Sequence, residues 1–524
     1  MEPAASCPVP APGPPRVALV AHSAPRAFGP LVALFALAAL AFLAWRAATT
    51  DWSVPFAGLL LAADVYGALT TGLFLAITRR VDVPVPRPAP DPMPAVDVLI
   101  PTINEPPDVV RATVAGALAM AGRRRVLVLD DGDRPPVAAL CRELGARHLA
   151  RRSAAHAKAG NLNFGLAHTD APLLVTLDAD HIPHPELIRR LAGYFDDPAV
   201  GFVQTPQTYY NTDSFLFRRR RGGRTWSEQG MFYEVIQPAK NRANAAFYVG
   251  TSAMLRRSAL DSVGGFATGT ATEDIHTSLR LHARGWRSLY HPEPLALGLE
   301  AASLREFHRQ RRRWAAGSLG LLARSGDSPL AARGLTPAQR ANYLSATLAH
   351  AQGVQRGAYL LVPLLCLLMR RSPVDVDPWL LLAAYVPFLA LSLTLTWLFS
   401  RGTYHPLHTE AYGAGGMLTQ LAALRGVLQV QRKFDVSRKR VARTERTWVR
   451  AGLWAVVGLA ALTVTGAAAL LATRGGDPHL AGLAVGSGVA ALAAGAVLGA
   501  FLAHLRRWER AAAPPATTPG QVLA

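Results

Sequence analysis

The chain has 524 residues, of which 50% are hydrophobic and only 17% charged, and its formal net charge is +20. So apolar a composition argues against an ordinary soluble enzyme and for several membrane spans. The arginine excess fits the positive-inside bias of membrane proteins, and no zinc finger, helix-turn-helix or RNA-binding consensus supports nucleic acid as a partner.

In chain order, residues 1–28 begin Pro/Ala-rich without a signal-peptide charge pattern and read as a disordered tail. Apolar runs at 29–47 and 55–77 can each cross about 30 Å of hydrocarbon, giving two transmembrane helices within 29–78. The loop 48–54 carries one Asp and no Lys or Arg, whereas "AITRR" (76–80) adds positive charge after the second run. That asymmetry places both termini and the following domain in the cytoplasm of a multi-pass protein of the cell membrane.

Residues 94–335 alternate strand and helix. Strands are expected at 95–101, 125–131, 146–150 and 171–180, with helices over 106–120, around 136–143 and over 163–167. This alternation implies a mostly parallel sheet with helices on its faces, and such sheets bind ligands beyond their carboxyl ends. Four more apolar runs follow, at about 343–369, 377–400, 449–472 and 479–504, inside a membrane region spanning 343–505. The mixed segment 410–430 is expected to lie at the interface rather than cross. Residues 506–524 read as a second disordered tail. Cys7, Cys141 and Cys366 form no metal-ligand spacing, and no disulfide framework is expected.

Acidic residues gather at the expected strand ends. In "VLVLDDGDR", Asp130 and Asp131 followed by Gly132 can hydrogen-bond a base or ribose, or simply make a capped tight turn. In "VTLDAD", Asp178 and Asp180 can hold Mg2+ or Mn2+ open to diphosphate oxygens; a solvated turn is the plainer explanation of an isolated D-x-D. In "TATEDIHTSLRLHARGW", Thr272 reads as an N-cap with Glu273 and Asp274 in the first turn; either capping alone or a general base accounts for the carboxylates. "FYVGTSAMLRR" and "HAKAGNLN" read as small turns that expose backbone, with Lys158 as a phosphate or sugar contact or a plain surface lysine. In "REFHRQRRRWAAG" (305–317), Gln310, Arg313 and Trp314 share one helix face, where Arg313 can pair with a diphosphate and Trp314 stack on a sugar. Arg309 and Arg312 fall elsewhere, and the arginines outside that face are expected at the membrane surface.

Taken together, Asp130-Asp131, Asp178-Ala179-Asp180, Thr272-Glu273-Asp274 and Gln310 to Trp314 resemble the D, DxD, TED, QxxRW series of processive family 2 glycosyltransferases such as the bacterial cellulose synthase catalytic subunits. The resemblance extends over about 30–505. It implies a GT-A-type α/β domain in the cytosol, inserted in a polytopic α-helical membrane domain.

By the same resemblance, Thr102, Asn104, Glu105, Asp130, Asp131, Lys158, Asp178, Gln310, Arg313 and Lys439 would bind the nucleotide-sugar, with Asp178 and Asp180 on the metal. Asp274 would be the base, with Glu273 and Thr272 beside it, and Trp314, Gly250 and Thr251 would meet the acceptor. "KFDVSRKR" (433–440) is similar to the family's gating loop, with Phe434, Val436 and Ser437 closing over the nucleotide.

The implied activity is processive, inverting polymerisation of a UDP-sugar, foremost UDP-glucose, with export of the polysaccharide. The partners would be the growing polysaccharide, the bilayer and an accessory export subunit. A non-processive transferase loading a sugar onto a lipid carrier is the alternative, and a catalytically silent membrane scaffold or transporter a more distant one. No PilZ barrel is expected after the last span, which leaves curdlan-like, mixed-linkage, mannan, chitin and hyaluronan-type products open.

Overall fold

The structure is a computed structural model that describes residues 17–219, 225–301, 303–324, 326–427, 448–474 and 476–511. Its main sheet grows from two strands with almost no polar face. Strand β1 (Val96–Thr102) is buried at every position, and β2 (Arg124–Asp131) is buried from Val126 onward. Such strands are stable only at the centre of a sheet covered on both sides. The sheet is completed by β3 (Arg147–Arg151), β4 (Leu173–Thr176), β5 (Val200–Gln204), β6 (Ala253–Arg256) and β7 (Arg287–Tyr290).

The strands lie in the order β7-β5-β6-β4-β1-β2-β3. β6 runs antiparallel to β5 and β4, and the remaining pairings are parallel. Alternation along β1 and β2 sends Val98, Ile100, Val126 and Val128 into one core and Leu99, Leu127 and Leu129 into another. Val110 and Val114 of the helix Pro107–Ala119 join the first core, and Leu162 and Leu166 of the helix Ala157–Ala167 join the second. The result is a sheet between two helical layers.

Several boundaries differ from the sequence reading: within 1–28, expected as a disordered tail, Leu19–Ser23 is a strand paired antiparallel with Val81–Pro84, and the last helix runs to Arg510, into the expected second tail. The expected strand 171–180 stops at Thr176, the last residue of β4 to pair, with Leu99 of β1 on one side and Ala253 of β6 on the other. Asp178 to His181 therefore form a turn beyond the strand end. The helix expected over 163–167 begins at Ala157, so Lys158 sits on a helix rather than in a backbone-exposing turn. The asparagines that suggested a turn tie this helix down instead. Asn161 Nδ2 donates to Leu129 O at 2.8 Å, and Asn163 exchanges bonds with the Phe266 backbone at 2.8 and 2.9 Å.

Among the described residues, six helices are long and apolar enough to cross a membrane: Phe28–Ala48, Ala57–Thr78, Pro337–Met369, Trp379–Phe399, Trp448–Thr473 and Leu480–Arg510. With two before the α/β domain and four after it, the chain is a multi-pass membrane protein. The mixed segment forms the helix Pro406–Val427, which packs along the helix Leu304–Gly320.

Candidate active site

The register of the central strands sets Thr102 beside Asp130 and puts the turn after β4 at the same edge of the sheet. Asp130 has no exposed side-chain surface there. Its oxygens accept from Arg134 N at 2.7 Å and Arg134 Nε at 2.8 Å, and His148 Nε2 lies at 3.2 Å. Arg134 goes on to donate to Thr102 Oγ1 at 2.7 Å and to Glu105 O at 2.9 Å. Glu105 folds back onto its own loop, accepting from Thr102 Oγ1 at 2.7 Å and Ile103 N at 2.9 Å, while Asn104 stays exposed. Asp130 and Glu105 thus hold the shape of the loops that carry Thr102 and Asn104. Asp131 pairs with Arg151, whose Nη2 also donates to Ala157 O at 2.8 Å, so the acidic strand end is fastened to the start of the next helix.

At the second residue of that helix, Lys158 Nζ pairs with Asp178 and donates to Gly250 O at 2.9 Å; Glu273 Oε1 is 4.0 Å away. Burial alone would lower the Lys158 pKa, but the Asp178 charge outweighs it and holds the ammonium well above its ordinary range. Burial in turn pushes the Asp178 carboxyl up, and Lys158 with His181 overcomes this and holds it below the usual carboxylate range. Thr251, fully buried, accepts from Asp178 N at 2.9 Å through its hydroxyl and fixes the turn.

Gly250 occupies the middle of this arrangement at φ +90°. A Cβ there would lie 3.0 Å from Lys158 Nζ and 3.4 Å from Asp274 Oδ2, so a glycine is what lets the two side chains close in. Thr272 precedes the helix Glu273–Ala283 at its N-cap position, yet its hydroxyl makes no capping bond and has no partner among the described residues. Asp274 Oδ1 accepts from Ile275 N at 2.8 Å. Burial, reinforced by the adjacent Glu273 charge, pushes the Asp274 carboxyl up to about 7; the Ile275 N–H, Lys158 and Arg313 pull against it.

Helix Leu304–Gly320 brings the last group. Ser303 caps it by accepting from Glu306 N at 3.3 Å. Gly317 lies so close to Thr272 that an added Cβ would come 2.6 Å from its side chain and 2.9 Å from its backbone nitrogen. Gln310, Arg313 and Trp314 are half-buried, and Gln310 Oε1 has no hydrogen-bond partner among the described residues.

The neighbouring arginines correct the sequence reading. Arg311 turns toward protein partners: it pairs with Glu228 and lies 4.5 Å over the Trp314 ring. Arg309 pairs with Glu306 at 3.3 Å. Sequence reasoning missed Arg311, Glu228, Arg134, Arg151 and His181. Only the last carried a visible signal, the imidazole directly after the D-x-D.

Asp178, Asp180 and His181 offer ligand atoms that all lie within 4.8 Å of one another. Two carboxylates at a strand end suit Mg2+ or Mn2+, and the donor set fits a divalent cation. Phe434, Val436, Ser437 and Lys439 lie outside the described residues.

The model for the glycosyltransferase like family 2 matches residues 94–317, and that for cellulose synthase matches 261–400. The cellulose synthase 1 catalytic subunit [UDP-forming] of Komagataeibacter xylinus is 36% identical, covering 73% of this chain and 53% of its own. The cellulose synthase catalytic subunit [UDP-forming] of Xanthomonas axonopodis pv. citri is 40% identical, covering 57% of this chain and 41% of its own. A mannosyltransferase of Pyrobaculum calidifontis solved with GDP-Man and Mn2+ superposes at TM-score 0.48 and 20% identity, covering 71% of this chain and 99% of its own. The chain spans about half or less of the length of the curated relatives it matches. With its motifs gathered on one edge of a GT-A-type mixed sheet and flanked by membrane helices, residues 94–317 form a family 2 glycosyltransferase domain, and the chain is similar to the cellulose synthases.

Proposed function

We propose that this chain polymerises a sugar from a UDP-sugar by inverting transfer and passes the polysaccharide through its membrane helices. The observation that carries this reading is the helix Leu304–Gly320. At Gly317 it abuts Thr272, next to the candidate base, and at His308 it bonds Thr419 of the helix Pro406–Val427. One rigid element thus joins the reacting end of the site to the membrane region.

Asp274 takes the proton of the acceptor hydroxyl. That oxygen forms its bond to the anomeric carbon as the bond to the diphosphate breaks, and the electron pair leaves with UDP. An α-linked donor therefore gives a β-linked product. Arg313 and Lys158 face the departing diphosphate, Asp131 and the Thr102–Glu105 loop serve the uridine side, and Trp314, braced by Arg311, stacks on the acceptor end beside Gly250 and Thr251. Asp178 and Asp180 would hold Mg2+ or Mn2+, which supplies charge neutralisation at the leaving group.

UDP is supported by the relatives named as UDP-forming, and glucose by their being cellulose synthases. The α/β domain, 94–335, works on the cytoplasmic face of the cell membrane, with helices in 29–78 and 343–505 around the exit path and an accessory subunit carrying the polymer onward.

Isolated membranes supplied with each labelled nucleotide-sugar test the reading, with products sized and digested by linkage-specific hydrolases. A long β-linked polymer from UDP-glucose is expected. A mono- or disaccharide on lipid as the sole product overturns processivity, and turnover of another donor alone overturns the choice of glucose.

A further inference from the structure

We infer that Arg134 is a positioning residue for nucleotide binding: it engages the Asp130 carboxylate and the Thr102 hydroxyl inside the protein and so holds the Thr102–Glu105 loop in shape for the nucleoside. The inference rests on the proposed placing of the uridine side at that loop.

The local sequence brings Arg134 back onto its own strand end. After Asp131 the chain turns through Gly132 at φ +132° and Asp133 at φ +51°, and the helix Pro135–Leu144 starts directly behind Arg134. The turn returns the Arg134 backbone to Asp130 Oδ2, which accepts from its N–H at 2.7 Å, while Oδ1 accepts from Nε at 2.8 Å. His148, from β3, closes on Oδ2 at 3.2 Å. Both Asp130 oxygens are thus engaged, and the side chain is fully buried. A base or ribose could reach this carboxylate only by displacing groups that already hold it, which would leave them unpaired.

The rest of the guanidinium reaches the neighbouring strand, where Thr102 stands in register with Asp130. Arg134 Nη2 donates to Thr102 Oγ1 at 2.7 Å and Nη1 to Glu105 O at 2.9 Å. Thr102 Oγ1 in turn donates to Glu105 Oε2 at 2.7 Å, and the same oxygen accepts from Ile103 N at 2.9 Å and Asn104 N at 3.3 Å. A hydroxyl has one hydrogen to give, so Thr102 has none left for a ligand. What the loop turns to solvent is Asn104. One planar cation therefore ties the acidic strand end to the loop beside it, through a fork that a lysine cannot copy.

The test uses the purified full chain in detergent with Mn2+ present. UDP binding is measured by titration calorimetry, and KM and kcat are measured with the UDP-sugar that wild type turns over. R134M should weaken UDP binding and raise KM roughly tenfold or more, because hydrogen bonds to a charged group are lost. Its kcat should stay within about threefold of wild type, since binding rather than chemistry is changed. R134K, which keeps the charge but not the fork, should fall between wild type and R134M. D130N should behave like R134M, and the double variant R134M/D130N should be no worse than the poorer single one, because the two groups act as a unit.

R134M that binds UDP like wild type overturns the inference and leaves the proposed function standing. Losses that multiply in the double variant would mean that Asp130 meets the nucleotide itself, and they overturn it too, as does a fall in kcat at unchanged KM. Circular dichroism on each variant separates lost affinity from lost fold, and if R134M does not fold, R134K alone and with D130N decides in its place. Wild type that binds no UDP removes uridine from the proposed function and the inference with it.

Discussion

Asp274 is built to titrate where a general base is useful. Burial and the Glu273 charge push its carboxyl up to about 7, so a large share of molecules carries it protonated at neutral pH. Only the ionised form accepts a proton, and turnover under saturating donor should therefore rise with pH through about 7 and level off above it. Asp274→Asn should lower kcat by at least about 10²-fold and abolish that limb while donor binding persists. An unchanged profile in the variant removes Asp274 from the base role.

Lys240 presents the opposite case, a buried group with nothing to gain from its charge. Its ammonium is 1% exposed, has no hydrogen-bond partner among the described residues and lies 4.3 Å from the centre of the Phe247 ring. Burial lowers its pKa to about 7. Between about pH 7 and its unfolded value the denatured chain binds more protons than the native one, so wild-type stability should rise with pH across that window and be flat below it. Lys240→Met should stabilise the protein at pH 7 by a few kcal/mol, about 1.4 kcal/mol per unit of pKa, and remove the slope. Denaturation followed from pH 7 to 10 distinguishes the two chains.

Among elements, the helix Leu304–Gly320 depends on a contact too close for any side chain. Gly317→Ala would set a methyl 2.6 Å from the Thr272 side chain and 2.9 Å from its backbone nitrogen. Overpacking of this kind costs about 1–3 kcal/mol or displaces the helix. The expected result is a kcat at least about tenfold lower with near-native circular dichroism. Adding Thr272→Ala relieves the side-chain clash but not the backbone one, so recovery should be partial; full activity in Gly317→Ala alone would show that the approach is not needed.

This contact also shows where sequence reading ends. β1 and β2 were legible because a strand buried on both faces is an unbroken apolar run, and the acidic ends followed from the parallel sheet. The early start of the helix at Ala157 was hidden, since Asn161 and Asn163 look like turn residues until their partners across the fold are known. Arg311 was hidden for a similar reason. Helical spacing separates it from Arg313, but only tertiary structure supplies Glu228, distant in sequence, to bury it against Trp314. Asp130 was visible as a strand-end carboxylate, and its commitment to Arg134 was not.

At the scale of the whole molecule, the α/β domain divides the membrane region in the sequence, and a buried polar node reunites it. Arg46 and Asp64 are 1% and 4% exposed and pair at 3.0 Å between the first two apolar helices. Tyr359, on the far side of the α/β domain in sequence, donates to Asp64 Oδ1 at 2.9 Å, and Gln355 Nε2 donates to Ala63 O at 3.1 Å. Charges within a bilayer are costly and persist when partnered, so this node fixes how the helices before the domain dock on those after it.

Arg46→Met or Asp64→Leu alone strands one buried charge and should destabilise by about 3–5 kcal/mol, whereas the double variant removes both charges and should recover most of the loss. Thermal unfolding in detergent reads the coupling. A double variant as unstable as the sum of the singles would mean that the pair does not act as a unit and that apolar packing alone aligns the two halves.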